Sequence, residues 1–173
     1  TFAKPDDPIM KMNRYLLYDY AERPASRTKS GRRTRAGSEK PPNVQPHLRH
    51  GGGTTTVSPE HAAMQKKLMK VLKDEFPGAR IVREENFVDV LVETKTELYL
   101  YEIKSDLSPF NVLRAAIGQL LEYAFHRPDN KGRTLRLVAV GRNPLSADAE
   151  LFLSHLQEQF SLPLEYRVIS LQQ

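Results

Sequence analysis

The chain has 173 residues, no cysteine and a formal net charge of +5 at pH 7. That length suits one domain with a substantial core and some extra chain, but hardly two full domains. Without cysteine there is no disulfide, no thiolate nucleophile and no cysteine zinc site, a composition that fits a reducing, cytoplasmic setting. No apolar run approaches the roughly 18 to 20 residues needed to cross a bilayer, so a soluble protein with no membrane partner is expected. The positive charge is concentrated early: residues 1–58 hold eleven Lys or Arg against five Asp or Glu, and the remainder fifteen against sixteen.

Asp7-Pro8 places a capping carboxylate before a Pro at the first helical position. Ile9, Met12, Leu16, Leu17 and Tyr20 follow at helical spacing and predict a short helix. From Pro24 to Thr56, Arg27, Lys29, Arg32, Arg33, Arg35 and Lys40 are interleaved with Ser, Gly and Pro, and Gly51-Gly52-Gly53 closes the stretch. Such a composition buries too little surface to offset its ordering entropy and reads as a flexible linker. Its cations could also touch a phosphate backbone. Residues 1–57 are therefore expected to form a short helix and a basic linker, and 58–173 the compact domain. The first residue is Thr, which suggests a segment of a longer chain with an upstream domain.

Within 58–173, Ser58-Pro59-Glu60 reads as a cap, and Ala62, Met64, Leu68, Val71, Leu72 and Phe76 form a helical stripe that stops at Pro77-Gly78. Arg80 to Glu84 predicts a short strand, and a hairpin supplies two more. Asp106 and Ser108 are both candidate caps for a helix from Pro109 with an apolar face of Leu113, Ala116, Ile117, Leu120, Leu121 and Ala124. Leu135 to Val140 is a continuous apolar run, expected to be buried on both faces. A helix from Ser146 to about Phe160 and a strand from Leu164 to Leu171 end the chain. The order α, β, β, β, α, β, α, β predicts an α/β domain with helices around a mixed sheet. No Gly-rich phosphate loop or G-x-S-x-G turn is present, so neither P-loop hydrolysis nor a serine-hydrolase elbow is supported.

The hairpin, Asn86 to Ser105, carries the chemistry. Two apolar, β-branched and aromatic runs flank the polar break Thr94 to Glu97. A loop symmetric about the Lys95-Thr96 bond sets Asp89 opposite Glu102. Opposed residues hold their Cβ atoms about 4.5 to 5.5 Å apart, so two carboxylates placed this way repel unless a cation lies between them. Alternation puts Lys104 on the face of Glu102 and sends Tyr99, Tyr101 and Ile103 to the other. Two carboxylates and a lysine thus converge. Magnesium, which takes few protein ligands and several waters, suits Asp89, Glu102 and the carbonyl of Ile103. A metal held there polarises a phosphoryl oxygen and acidifies water, with Lys104 orienting that water and offsetting transition-state charge.

Asp89, with E-I-K at Glu102 to Lys104 on the next strand, in an αβββαβ order, resembles the PD-(D/E)XK nuclease superfamily. Gln119 and Tyr123 on the following helix have the Q-x-x-x-Y spacing of its RecB-like branch, and His61 stands where that branch often has a histidine completing the site. The resemblance covers about Ser58 to Val140. It implies a restriction-endonuclease-like αβββαβ core with a C-terminal αβ extension, and Mg²⁺-dependent cleavage of DNA, with Mn²⁺ able to substitute. It further implies Asp89 and Glu102 as metal ligands, Lys104 as catalytic, and Gln119 and Tyr123 at the substrate groove. Val88 stands before Asp89 where the motif has Pro. The H-x-x-x-Q block, His61 with Gln65, and the Y-E-I-K-S and G-Q-L-L-E-Y blocks resemble nuclease domains of bacterial restriction or defence proteins. Besides DNA, the partners this allows are an upstream domain and a second copy in a homodimer.

Each residue has a plainer alternative. Asp89 and Lys104 could pair on an exposed sheet face, Gln119 could simply hydrogen-bond Tyr123 one turn on, and His61 and Gln65 could be ordinary helix residues. Glu60 and Glu85 read as solvated, His47, His50, His126 and His155 as surface residues, and Tyr99 and Tyr101 as core. The function classes that remain beside a DNA nuclease are a non-catalytic nucleic-acid-binding or scaffolding domain and an RNA-cleaving or toxin nuclease.

Overall fold

Ser58 begins the first helix, α1 (Pro59–Glu75), by accepting the His61 N–H at 3.1 Å, with Pro59 needing no donor partner in the first turn. The computed structural model describes residues 35–42, 47–49, 55–126 and 130–171. The helix expected from Asp7, and much of the basic stretch, lie outside these residues. Where a flexible linker is expected, β1 (His47–Arg49) and β2 (Thr55–Val57) pair antiparallel as a two-stranded ribbon.

Past Gly78, which takes the left-handed φ of 83° that glycine adopts freely, the chain enters β3 (Arg80–Arg83), then β4 (Val90–Glu93) and β5 (Glu97–Ile103). Thr94 makes the loop by accepting the N–H groups of Thr96 and Glu97 on its hydroxyl, at 3.3 and 2.8 Å. Helix α2 (Pro109–Phe125) is capped by Ser108, and Asp106 in turn accepts the Ser108 N–H at 2.7 Å, so both expected capping residues serve one helix start. Then come β6 (Thr134–Gly141), α3 (Ala147–Phe160) and β7 (Leu164–Val168).

The five strands stand in the order β3-β4-β5-β6-β7. β3, β4 and β5 run antiparallel to one another, whereas β5, β6 and β7 are parallel. α2 makes the β5 to β6 crossover and α3 the β6 to β7 crossover, as parallel neighbours require. Alternation divides the sheet into two apolar faces. Val90, Val92, Tyr101, Ile103, Val138 and Val140 pack under α1 with Met64, Leu68 and Leu72, while Leu91, Leu100, Leu137 and Ala139 pack with Leu113, Ala116 and Leu120 of α2 and Leu153 of α3. β6 is buried on both sides along Leu137 to Val140. The result is an α/β domain with a mixed sheet between helices. No helix among the described residues is long and apolar enough to cross a membrane.

Residues 35–42 lie along this domain. Ser38 exchanges both main-chain hydrogen bonds with Arg83, at 3.0 and 2.9 Å, which covers the end of the outer edge of β3. Arg35 accepts the Asn86 N–H on its carbonyl at 3.0 Å and pairs its guanidinium with Glu84. Arg83 Nε donates to the Lys40 carbonyl at 2.8 Å. This strap is sealed at Gly37, where a Cβ would stand only 2.9 Å from the Cβ atoms of both Glu85 and Val82.

Candidate functional site

The hairpin register is that of a loop centred on Lys95-Thr96: Val90 pairs with Tyr101 and Leu91 with Leu100. Asp89 stands one residue before this ladder, not within it. Glu84, Asn86 and Phe87 all have left-handed φ values, 58°, 52° and 74°, and turn the chain out of the sheet between β3 and β4. The Asp89 side chain nevertheless reaches back across the hairpin. Its Oδ2 accepts the Ile103 N–H at 2.8 Å, taking the place of the ladder carbonyl that the diverging chain has withdrawn.

Helix α1 closes over the same point. His61 lies in its first turn and sets Nε2 3.0 Å from Asp89 Oδ2. Gln65, one turn further on and only 2 % exposed, donates its amide to the Asp89 carbonyl at 2.7 Å. Both side chains therefore face the site, and neither is a plain surface residue of the helix.

Beyond the hairpin, Glu102 and Lys104 project from the end of β5 toward α2. Glu102 is 2 % exposed and Asp89 6 %, so the sheet face that carries them is buried. Lys104 Nζ donates to Glu102 Oε1 at 2.7 Å, and it also donates to Gln119 Oε1. Gln119 turns its amide NH₂ to the Tyr123 hydroxyl at 3.2 Å. The i, i+4 hydrogen bond between Gln119 and Tyr123 is thus present, but it is the end of a chain that begins at Glu102. Lysine 104 pairs with Glu102 rather than with Asp89.

Two polar atoms in this cluster are buried with no hydrogen-bond partner: Glu102 Oε2 and His61 Nδ1. Burial pushes the Glu102 carboxyl well above the usual carboxylate range, the Asp89 charge adds to the rise, and Lys104 opposes it. For His61, burial pulls downward, yet the hydrogen bond and charge of Asp89 outweigh it and leave the imidazole above its usual value. The Tyr123 phenol is raised by burial and by the nearby Glu102 charge. A carboxyl and an imidazole, both raised above their ordinary values, therefore lie together in largely buried surroundings, with the Lys104 ammonium paired to the carboxyl.

All eight residues singled out in the sequence, His61, Gln65, Asp89, Glu102, Ile103, Lys104, Gln119 and Tyr123, gather here. Glu60 is exposed, Glu85 pairs with Arg80, His155 is exposed, and Tyr99 and Tyr101 belong to the apolar face under α1. The expectation that His47 and His50 are surface residues falls outside the residues whose side chains are described. What the sequence does not signal is the Ile103 N–H as the anchor of Asp89, because a main-chain donor leaves no residue pattern. Among the described residues no group of three or more His, Cys, Asp or Glu is arranged to hold a metal ion. Comparison with family models, with curated proteins and with solved structures gave no match for this chain.

Proposed function

We propose that this chain carries a Mg²⁺-dependent nuclease domain of the PD-(D/E)XK type, hydrolysing DNA phosphodiester bonds as the cleavage module of a larger restriction or defence protein. One observation carries the reading: Glu102 is buried beside Asp89 with Oε2 lacking any donor. A buried carboxylate oxygen without a partner is costly, and a hard cation satisfies it. The order α1, β3, β4, β5, α2, β6 supports the finer fold, a restriction-endonuclease-like αβββαβ core, with α3 and β7 as its C-terminal αβ extension.

Asp89, Glu102 and the main-chain carbonyl of Ile103 would hold Mg²⁺, or Mn²⁺ in its place, which supplies Lewis-acid polarisation and a more acidic water when bound. The chain's own groups do the rest. Asp89 is held by the Ile103 N–H and by Gln65 on its carbonyl, so its carboxylate stays aimed. His61 keeps station against Asp89 Oδ2, either as a further ligand or as a donor that fixes the carboxylate. Lys104 spends two of its three donors on Glu102 and Gln119, leaving one for a phosphate oxygen or an attacking water. Gln119 and Tyr123 keep that ammonium at the mouth of the substrate groove. A partner subunit for double-strand cleavage and an upstream recognition domain belong to the same proposal.

Supercoiled plasmid incubated with Mg²⁺ tests it. Wild-type protein is expected to nick or linearise the plasmid, and Asp89→Asn, Glu102→Gln and Lys104→Met to lose that activity with unchanged circular dichroism. Undiminished cleavage in all three variants would sink the proposal. A wild type that binds DNA without cutting it would make this a non-catalytic binding domain, and cleavage of RNA alone would change the substrate.

A further inference from the structure

We propose that the cleft beside Tyr123 takes an unpaired nucleobase of the strand being cut, which makes the substrate DNA with a single-stranded or locally opened segment; this rests on the nuclease reading of the neighbouring cluster. The cleft has a volume of about 240 Å³ and lies between the β4–β5 hairpin, the end of α2 and the approach to β6. Leucines of β4, β5 and β6 make an apolar floor, and the polar lining sets Asn86 and Lys131 beside Glu85 and Glu93, whose carboxylates are already paired with Arg80 and Arg133. None of these residues takes part in the cluster of Asp89, Glu102 and Lys104.

Tyr123 is the shared wall. It lines the cleft, while its hydroxyl accepts from Gln119 at 3.2 Å and Gln119 in turn holds Lys104. A group lodged in the cleft is therefore linked through the Tyr123 ring and the Gln119 amide to the ammonium that would face a phosphate. A nucleobase fits that lining. It has flat apolar faces for the leucines and the tyrosine, and an edge of donors and acceptors that an Asn amide can meet from either end. Lys131 adds a cation for the flanking phosphate. A base inside a duplex presents only its groove edges, so one that enters this cleft has left the stack.

The turn before Asp89 gives a second, independent reason. Glu84, Asn86 and Phe87 all hold left-handed backbones with no glycine among them, and a bulky side chain such as Phe87 rarely sits there. Asn86 lines the cleft, and Phe87, next to it, is 42 % exposed. The strap fixes this turn through the Arg35 carbonyl on the Asn86 N–H and the Arg35–Glu84 ion pair. A strained turn clamped from outside, with an amide at the cleft and an aromatic ring in solvent, suits a contact surface for unstacked bases.

Binding in Ca²⁺, read by fluorescence anisotropy, tests this without requiring turnover. The probes are a single-stranded thymidine oligonucleotide and a fully abasic strand of the same length and charge. Wild type is expected to prefer the base-bearing strand by about tenfold or more, the range one stacked base supplies. Ala124→Phe, which fills the cleft from α2, and Asn86→Gly, which removes the amide while easing a left-handed backbone, are each expected to remove most of that preference. Loss of preference in either variant that melts like wild type supports the proposal. No preference in wild type, or full preference in both variants, overturns it. Hydrolysis of bis(p-nitrophenyl) phosphate, a diester without a base, reads the cluster alone: its absence beside an intact base preference sinks the nuclease reading and leaves the base site standing.

Discussion

Asp89 accepts the main-chain N–H of Ile103 at 2.8 Å across the mouth of the hairpin, so one carboxylate both completes the sheet and faces the site. The two duties can be separated. Asp89→Asn keeps an oxygen for the N–H, whereas Asp89→Ala leaves it buried and unpaired, at a cost of about 1–3 kcal/mol. Urea unfolding followed by circular dichroism is expected to give the alanine variant the lower midpoint, while both variants lose DNA cleavage. Equal midpoints would remove the structural half of this role.

Metal-free stability should fall as pH rises. Glu102 has its folded pKa raised above the ordinary 4.5, so its contribution is complete below that value and is lost as pH climbs through the raised one. His61 is raised above 6.5 and works in the same direction, its contribution being lost as pH passes upward through its folded value. Above the ordinary carboxylate value of 4.5, thermal melts in EDTA are expected to shift down through neutral to mildly alkaline pH. Glu102→Gln should flatten that dependence and melt higher than wild type at alkaline pH, because it removes a buried charge. Added Mg²⁺ should restore wild type most where the loss is greatest. A metal-free Tm that rises with pH contradicts the assignment.

The strap also has a measurable weight. Gly37→Val would drive a side chain against Glu85 and Val82, where even a Cβ stands 2.9 Å from their Cβ atoms. Crowding of this kind costs about 1–3 kcal/mol. The variant is expected to unfold at lower denaturant and to cleave DNA more slowly, since the displaced strap no longer holds the turn that leads into Asp89. Cleavage and stability both at wild-type level would mean that residues 35–42 are a passive tether.

In the proposed nuclease, Gln119 acts on the reaction through Lys104. Removing its carbonyl oxygen in Gln119→Leu takes away one of the ammonium's two acceptors and leaves Glu102 as the other, and losses of about 10–100-fold are usual for groups that orient the residues of a site. The reduction is expected in kcat, with KM for DNA much less affected. A change confined to KM would instead make Gln119 a substrate contact.

Much of this arrangement can be read from the residues themselves. Thr94 to Glu97 fixes a short loop, the period of two in β5 separates Glu102 and Lys104 from Tyr101 and Ile103, and the Val90–Tyr101 register follows. Ser58, Pro59 and Ser108 mark helix starts by local hydrogen bonding, which is why α1 and α2 begin where expected. The strap is another matter. Apart from the Arg35–Glu84 ion pair, Arg35 to Lys40 binds through main-chain groups and carries no apolar period, so its composition resembles a linker although it pairs with β3. The turn at Glu84 to Phe87 is equally silent, because left-handed residues are foreseen from glycine and here there is none. Asp89 consequently lies just outside the strand that alternation assigns to it, and reaches Ile103 by its side chain alone.

In the proposed nuclease Asp89 and Glu102 together hold one divalent cation, which calorimetric titration of Mn²⁺ into metal-free protein measures. Wild type is expected to show a site that Mg²⁺ displaces, and Asp89→Asn and Glu102→Gln each to lose it while remaining folded. Unchanged Mn²⁺ binding in both variants would rule out a cation shared by the two carboxylates.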